Sequence, residues 1–124
     1  MEIKENEFIR TKTGKIDKVI NNNYYMSQYI ECEKRIVEKE NIIKHSFNII
    51  DLIESRDIIE FKIKNFDFTN LGIVHEEFDS RKGEYYKIVN EHRLEEIQII
   101  SILTKEQYER DCYKAKEKWW WVIL

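Results

Sequence analysis

The chain reads as a mainly β protein: a small barrel or sandwich of six to seven short strands with two short capped helices, α+β in the broad sense. Three observations predict this. Turn signals recur about every ten residues along the whole length, which is the spacing of short-stranded barrels and sandwiches. Apolar and charged residues alternate strictly in Ile59-Glu-Phe-Lys-Ile-Lys64, the pattern of a strand with one wet face. Helix-start signals occur twice only, at Asn48 and at Thr104-Lys-Glu-Gln107, and neither is followed by a long apolar 3.6-residue repeat.

Phe8 to Ile20 predicts a hairpin around Lys12-Thr-Gly14, where Gly14 supplies positive φ. Asn21-Asn-Asn23 is a loop, and Tyr24 to Ile30 is rich in aromatic and β-branched residues suited to a strand. Residues 31–40 suit helix and strand equally. Asn48 then suits an N-cap, Asp51 favours the positive end of a short helix, and Phe47 and Leu52 occupy staple positions. After the strand at Ile59 to Ile63, Leu71 to Phe78 and Glu84 to Val89 predict a hairpin over the loop Asp79-Ser-Arg-Lys-Gly83. Ile97 to Leu103 is the most apolar strand and is expected at the centre of a sheet. Thr104 and Gln107 form a capping box, with Leu103 and Tyr108 at its staple positions, on a helix expected to end near Cys112. Tyr113 opens a further expected strand.

Composition bounds the class. With 124 residues the chain is expected to form a single domain, 1–124, with an apolar tail at 118–124. Hydrophobic residues make up 42% and charged residues 36%, enough for a core under a highly charged surface. A net charge of −3 gives no bulk attraction for nucleic acid, so that partner is not expected. Met1-Glu-Ile-Lys-Glu lacks an apolar run behind its charges, and no stretch approaches the roughly 20 apolar residues of a membrane span. A cytoplasmic location and no membrane partner are therefore expected. Cys32 and Cys112 are too few for a disulfide framework and read as free thiols.

No catalytic constellation stands out. His45, His75 and His92 lack metal-ligand spacing, so no metal and no cofactor are expected. Adjacent carboxylates at Glu76-Glu77 point to opposite faces of a strand, which is unsuited to paired acid and base work. The expectation is a protein that is not an enzyme. Arg grips phosphate through two parallel hydrogen bonds, and aromatic faces stack on bases. Arg56, Arg93 and Arg110 are accordingly the candidate phosphate holders, Phe78 and Tyr85 the stacking groups, and Asn90 the reader of a base edge or ribose. Three consecutive tryptophans, Trp119, Trp120 and Trp121, cannot all enter one small core and are the candidate oligomer contact. The same tail, Lys118 to Leu124, has two further readings: wrapping over an apolar groove of its own chain, and membrane-surface anchoring.

Lys44-His-Ser-Phe-Asn-Ile-Ile-Asp-Leu-Ile-Glu54 with Asp57, the opening Phe8-Ile-Arg-Thr-Lys-Thr-Gly14, and Ser101-Ile-Leu-Thr-Lys-Glu-Gln-Tyr108 together resemble a family of small accessory proteins of phages and prophages of low-GC Gram-positive bacteria. The resemblance departs at Ser55-Arg56, where a small apolar residue and a glycine are expected. It implies a counter-defence role inside the host cell. One mode is similar to the Thoeris anti-defence sponges, homo-oligomers that sequester a cyclic ADP-ribose-type signal without cleaving it. The alternative is anti-CRISPR-like inhibition, in which the protein binds a host defence effector.

Overall fold

The Lys12-Thr13-Gly14 turn folds β1 (Phe8–Thr11) back onto β2 (Ile16–Asn21), with Gly14 at φ 83° and its amide bonded to the Thr11 carbonyl at 2.9 Å. The computed structural model describes residues 2–22 and 28–111, the last of these by its backbone alone. The expected strand from Tyr24 lies partly outside the described residues, as do Cys112, Tyr113 and the tail 118–124. β3 (Tyr29–Cys32), β4 (Ile36–Glu38) and β5 (Ile42–Ser46) complete a five-stranded antiparallel sheet in the order β4-β3-β2-β1-β5. Residues 31–40, open in sequence terms, are the end of β3, a tight turn, β4 and a 3₁₀ turn at Lys39–Asn41. Ile3, Ile9, Val19, Ile30, Cys32, Val37 and Ile42 form the core of this half.

Asn48 caps its helical turn as expected: its side chain accepts from the Ile50 amide at 3.1 Å. The turn is a single 3₁₀ stretch, Ile49–Leu52, and Phe47 stays largely exposed while Leu52 is fully buried, so most of Phe47 lies outside the packing around Leu52. Arg56 then adopts φ 77°, a left-handed conformation costly for a side chain with a Cβ. This is the position where the resemblance called for glycine. Its amide donates to the Val74 carbonyl at 2.7 Å, and Val74 N donates to the Asp57 carbonyl at 2.8 Å.

That pairing explains a difference from the sequence expectation. Leu71 to Phe78 is not one strand. Val74, fully buried, divides it into β7 (Asn70–Ile73) and β8 (His75–Asp79), which belong to different sheets. β7 pairs with β6 (Ile58–Ile63), and β8 pairs with β9 (Glu84–Val89), which also carries the short β10 (His92–Arg93). β11 (Ile97–Leu103) lies at the edge of the sheet β11-β6-β7, not at its centre; the central strand is β6. Apolarity misled because β11 is exposed at Gln98, Ile100, Ser101 and Leu103, while Ile97, Ile99 and Ile102 pack inward across a register shift between Ile99 and Ser101, and β6 is its one strand partner. Ile53, Ile59, Phe61, Val74, Val89, Leu94 and Ile97 form a second core. Among the described residues the protein is thus mainly β, with eleven strands in three antiparallel sheets, sandwich-like, with no closed barrel and one α-helix, α1 (Lys105–Asp111). The capping box at its start is formed: Thr104 N donates to Gln107 Oε1 at 3.3 Å and Gln107 N to Thr104 Oγ1 at 3.4 Å.

One side chain ties the two halves together. Arg10, on β1, is fully buried. Its Nη1 donates to Asp57 Oδ2 at 2.5 Å and to the Leu52 carbonyl at 2.9 Å; its Nη2 donates to Asp57 Oδ1 at 3.0 Å and Glu106 Oε2 at 2.7 Å. Asp57 also accepts the amides of Glu54 (2.8 Å) and Lys105 (2.9 Å), while the Glu54 carboxylate meets Lys105 at 2.8 Å and Lys44 at 3.3 Å. The set contains three cations and three carboxylates. Burial alone would lower the Arg10 pKa, but the facing carboxylates hold it above its ordinary value. Beside it, Thr104 Oγ1 donates to the Gly14 carbonyl at 2.7 Å, closing the first hairpin onto the start of α1.

Removing one member of a buried, hydrogen-bonded ion pair leaves the other uncompensated, at a cost of about 3–5 kcal/mol. Asp57→Ala is expected to lose stability on that scale, read as a lower denaturant midpoint in urea. Burial would raise the Glu54 pKa, but Lys105, Arg10 and Lys44 outweigh it and bring it down to about 2. A depressed carboxylate stabilises the fold above its unfolded value and loses that contribution as pH falls through the folded one. Thermal midpoints are therefore expected to fall between pH 4.5 and 2, and to fall less in Glu54→Gln.

Candidate functional site

The six residues expected to form one ligand pocket occupy separate places. Arg56 stands at its strained turn, exposed, 3.9 Å from Glu109 of α1. Arg110 is on the same helix, also exposed. Phe78 and Tyr85 lie opposite each other on β8 and β9, their rings 5.0 Å apart between centroids. Arg93 lies against the other face of that hairpin. Its guanidinium sits 4.1 Å from the centroid of Tyr86, which neighbours Tyr85 and therefore points the opposite way, and it reaches Asp79 at 3.8 Å and Glu95 at 4.0 Å. Asn90 occupies the turn after β9 at φ 47° and donates from Nδ2 to the Leu71 carbonyl at 3.2 Å. The β pleat thus separates the phosphate holder Arg93 from the stacking pair, and Asn90 serves the backbone of β7. Trp119, Trp120 and Trp121 lie outside the described residues.

A different set converges. Lys12 and Lys15 from the first hairpin, Tyr29 from β3, and Arg35 from the turn before β4 line one open recess of about 330 Å³, with Thr11, Thr13 and Glu38. The local fold places them. The Lys12 amide donates to the Asn41 carbonyl at 2.8 Å, holding the hairpin tip against the 3₁₀ turn. Pairing of Tyr29 with Glu38 brings the Tyr29 hydroxyl to 3.3 Å from that carboxylate, and Glu38 raises the Tyr29 pKa. The Arg35 Nε lies 3.6 Å from Asp17, a buried carboxylate, whereas Nη1 is buried without a hydrogen-bond partner. With Asp17 counted against Arg35, the three lining cations still outnumber the two carboxylates, Glu38 and Asp17, which gives the recess a local positive excess on a chain of net charge −3.

Cys32, His45 and Glu7 lie apart from the recess lining. Cys32 is buried, and burial with nearby Asp17 pushes its thiol up to about 11, although Arg35 opposes the shift. A thiol so raised is a poor nucleophile at neutral pH. His45 Nδ1 lies 3.0 Å from Glu7, whose carboxyl would be raised by burial but is held below its usual value by the Lys4 amide and His45. Among the described residues no group of three or more His, Cys, Asp or Glu is arranged to hold a metal ion. Nor is any described helix long and apolar enough to cross a membrane.

The recess escaped sequence reasoning because its cations come from two segments about twenty residues apart, one of them ambiguous between helix and strand. The only local signal was Lys12-Thr-Gly-Lys15, a hairpin tip with two lysines. No protein-family model matches the chain, and no curated protein or solved structure matches it either.

Proposed function

We propose that this protein captures a small nucleotide-class anion in the recess of Lys12, Lys15, Tyr29 and Arg35 and holds it without cleaving it. In the phage setting that the sequence resemblance implies, the ligand is a nucleotide immune signal and capture is counter-defence. The observation that carries the reading is the convergence of three cationic side chains and an aromatic ring on one recess. Lysine and arginine supply charge-assisted bonds to phosphate oxygens, and a half-buried tyrosine ring offers a base a stacking surface. A volume of about 330 Å³ falls at the lower end of small-molecule sites.

A second reading, contact with a host effector protein, draws on the Phe78–Tyr85 pair. Both rings are large, in tilted contact and mostly exposed, the character of an aromatic anchor at a protein interface.

Calorimetric titration with ADP, ADP-ribose and cyclic ADP-ribose tests the first reading. At least one of these is expected to bind saturably and to be recovered intact by mass spectrometry. Each charge-assisted bond contributes about 1.5–3 kcal/mol, so loss of two in Lys12→Gln/Lys15→Gln is expected to weaken binding by roughly a hundredfold or more. Absence of saturable binding, or an unchanged affinity in the double variant, would contradict it.

A further inference from the structure

The sheet β11-β6-β7 has two unlike faces. Inward, Ile59, Phe61, Ile97, Ile99 and Ile102 pack into the second core. Outward, cross-strand register places Ile73 beside Ile58 and Leu103 beside Ile58 from the other side, with Leu71 two residues along the same face of β7. Leu71 is 70% exposed, Ile73 60% and Leu103 41%. Ile58 and Ile73 also line an apolar depression with Tyr108 of α1, rimmed by Arg56, Lys105 and Glu109. A sheet face carrying this many large aliphatic groups is the kind of surface that proteins cover.

We propose that this outer face is the docking surface for residues 112–124 of the same chain. Three observations select that occupant. Tyr108, which lines the depression, is four residues from the start of the segment, so the segment departs from the edge of the face it would cover. Its thirteen residues reach about 40 Å when extended, at about 3.3 Å each, against about 10 Å between the outer strands of a three-stranded sheet. Its composition matches as well. Trp119-Trp-Trp-Val-Ile-Leu124 is the most apolar run following α1, and it supplies aromatic and branched groups for Leu71, Ile73 and Leu103. Docking of this segment gives the sheet a cover on the face opposite the core and removes an apolar edge strand, β7, from solvent.

The three tryptophans of the chain all fall at 119–121, so tryptophan fluorescence reads this segment and nothing else. In the unmodified protein the emission is expected to be blue-shifted and shielded from acrylamide, independent of protein concentration. Leu71→Glu/Ile73→Glu is expected to shift it red and raise quenching severalfold. Ile36→Ser, at an exposed apolar site in the other half, is expected to leave it unchanged. Should the double variant lose its folded circular dichroism, Leu71→Lys alone provides the milder test and is expected to raise quenching in the same direction. Solvent-exposed tryptophans in the unmodified protein, or shielding unaffected by the β7 substitutions, would overturn the proposal. Shielding that appears only as the protein dimerises would overturn it in favour of a second copy as the occupant.

Discussion

The buried guanidinium of Arg10 is the constraint on which the rest of the arrangement depends. It lies on a strand of the first sheet and is bonded to Asp57, Leu52 and Glu106, all from later parts of the chain. Burying a charge is costly unless it is paired and its donors are satisfied. Both Nη atoms of Arg10 find their partners only when β1, the turn around Leu52 to Asp57 and the start of α1 are all in place; its Nε lies 3.5 Å from the Glu54 carboxylate with no hydrogen bond made. A slip of one residue in β1 would point Arg10 to the opposite face and put Ile9 or Thr11 in its position. The cluster therefore specifies register and the mutual placement of the two cores more than it adds net stability, since apolar replacements of buried pairs are often as stable.

The same logic separates structural charge from charge available to a ligand. Arg10, Glu54, Asp57 and Glu106 are paired with one another and with Lys44 and Lys105, at a cluster in which the Arg10 side chain is fully buried. Arg93 is similarly engaged, with Tyr86 on one side and carboxylates at 3.8 and 4.0 Å. The recess differs in balance: Arg35 is paired with Asp17 at 3.6 Å, but Lys12 and Lys15 line it beside a single further carboxylate, Glu38, so the cations outnumber the carboxylates. Arg35 Nη1 is also buried with no hydrogen-bond partner, as is Arg10 Nε; an unmade hydrogen bond of this kind costs free energy, and at Arg35 it lies on a residue that lines the recess. Electrostatic surplus, and not the number of arginines, is what marks the recess.

Much of the fold was legible from local chemistry. Alternation at Ile59 to Ile63, the glycine turn at Gly14, the Asn48 cap and the Thr104–Gln107 box all act within a few residues, and each is present. What was not legible depended on partners distant in sequence. Leu71 to Phe78 reads as one strand until Val74 bonds to Asp57; β11 reads as central until its pairing is seen to be one-sided. The strand count of six to seven fell short of eleven because several strands span only two to four residues, too few for a period to register. The expected site failed for a related reason. Residue type nominated Arg93, Phe78 and Tyr85, but which face of a hairpin each occupies follows from register, which the sequence does not state. Arg10 falls inside the expected hairpin, where no local pattern marks an arginine that will be buried.

The central claim is that Arg10 makes the two cores one cooperative unit. Native-state hydrogen exchange tests it most directly, by comparing amides of Ile9, Val19 and Ile30 with those of Ile59, Phe61 and Val89. The account predicts that both groups exchange with a common free energy in the unmodified protein and with two separate ones in Arg10→Met. Separate free energies in the unmodified protein, or a common one that survives Arg10→Met, would contradict it.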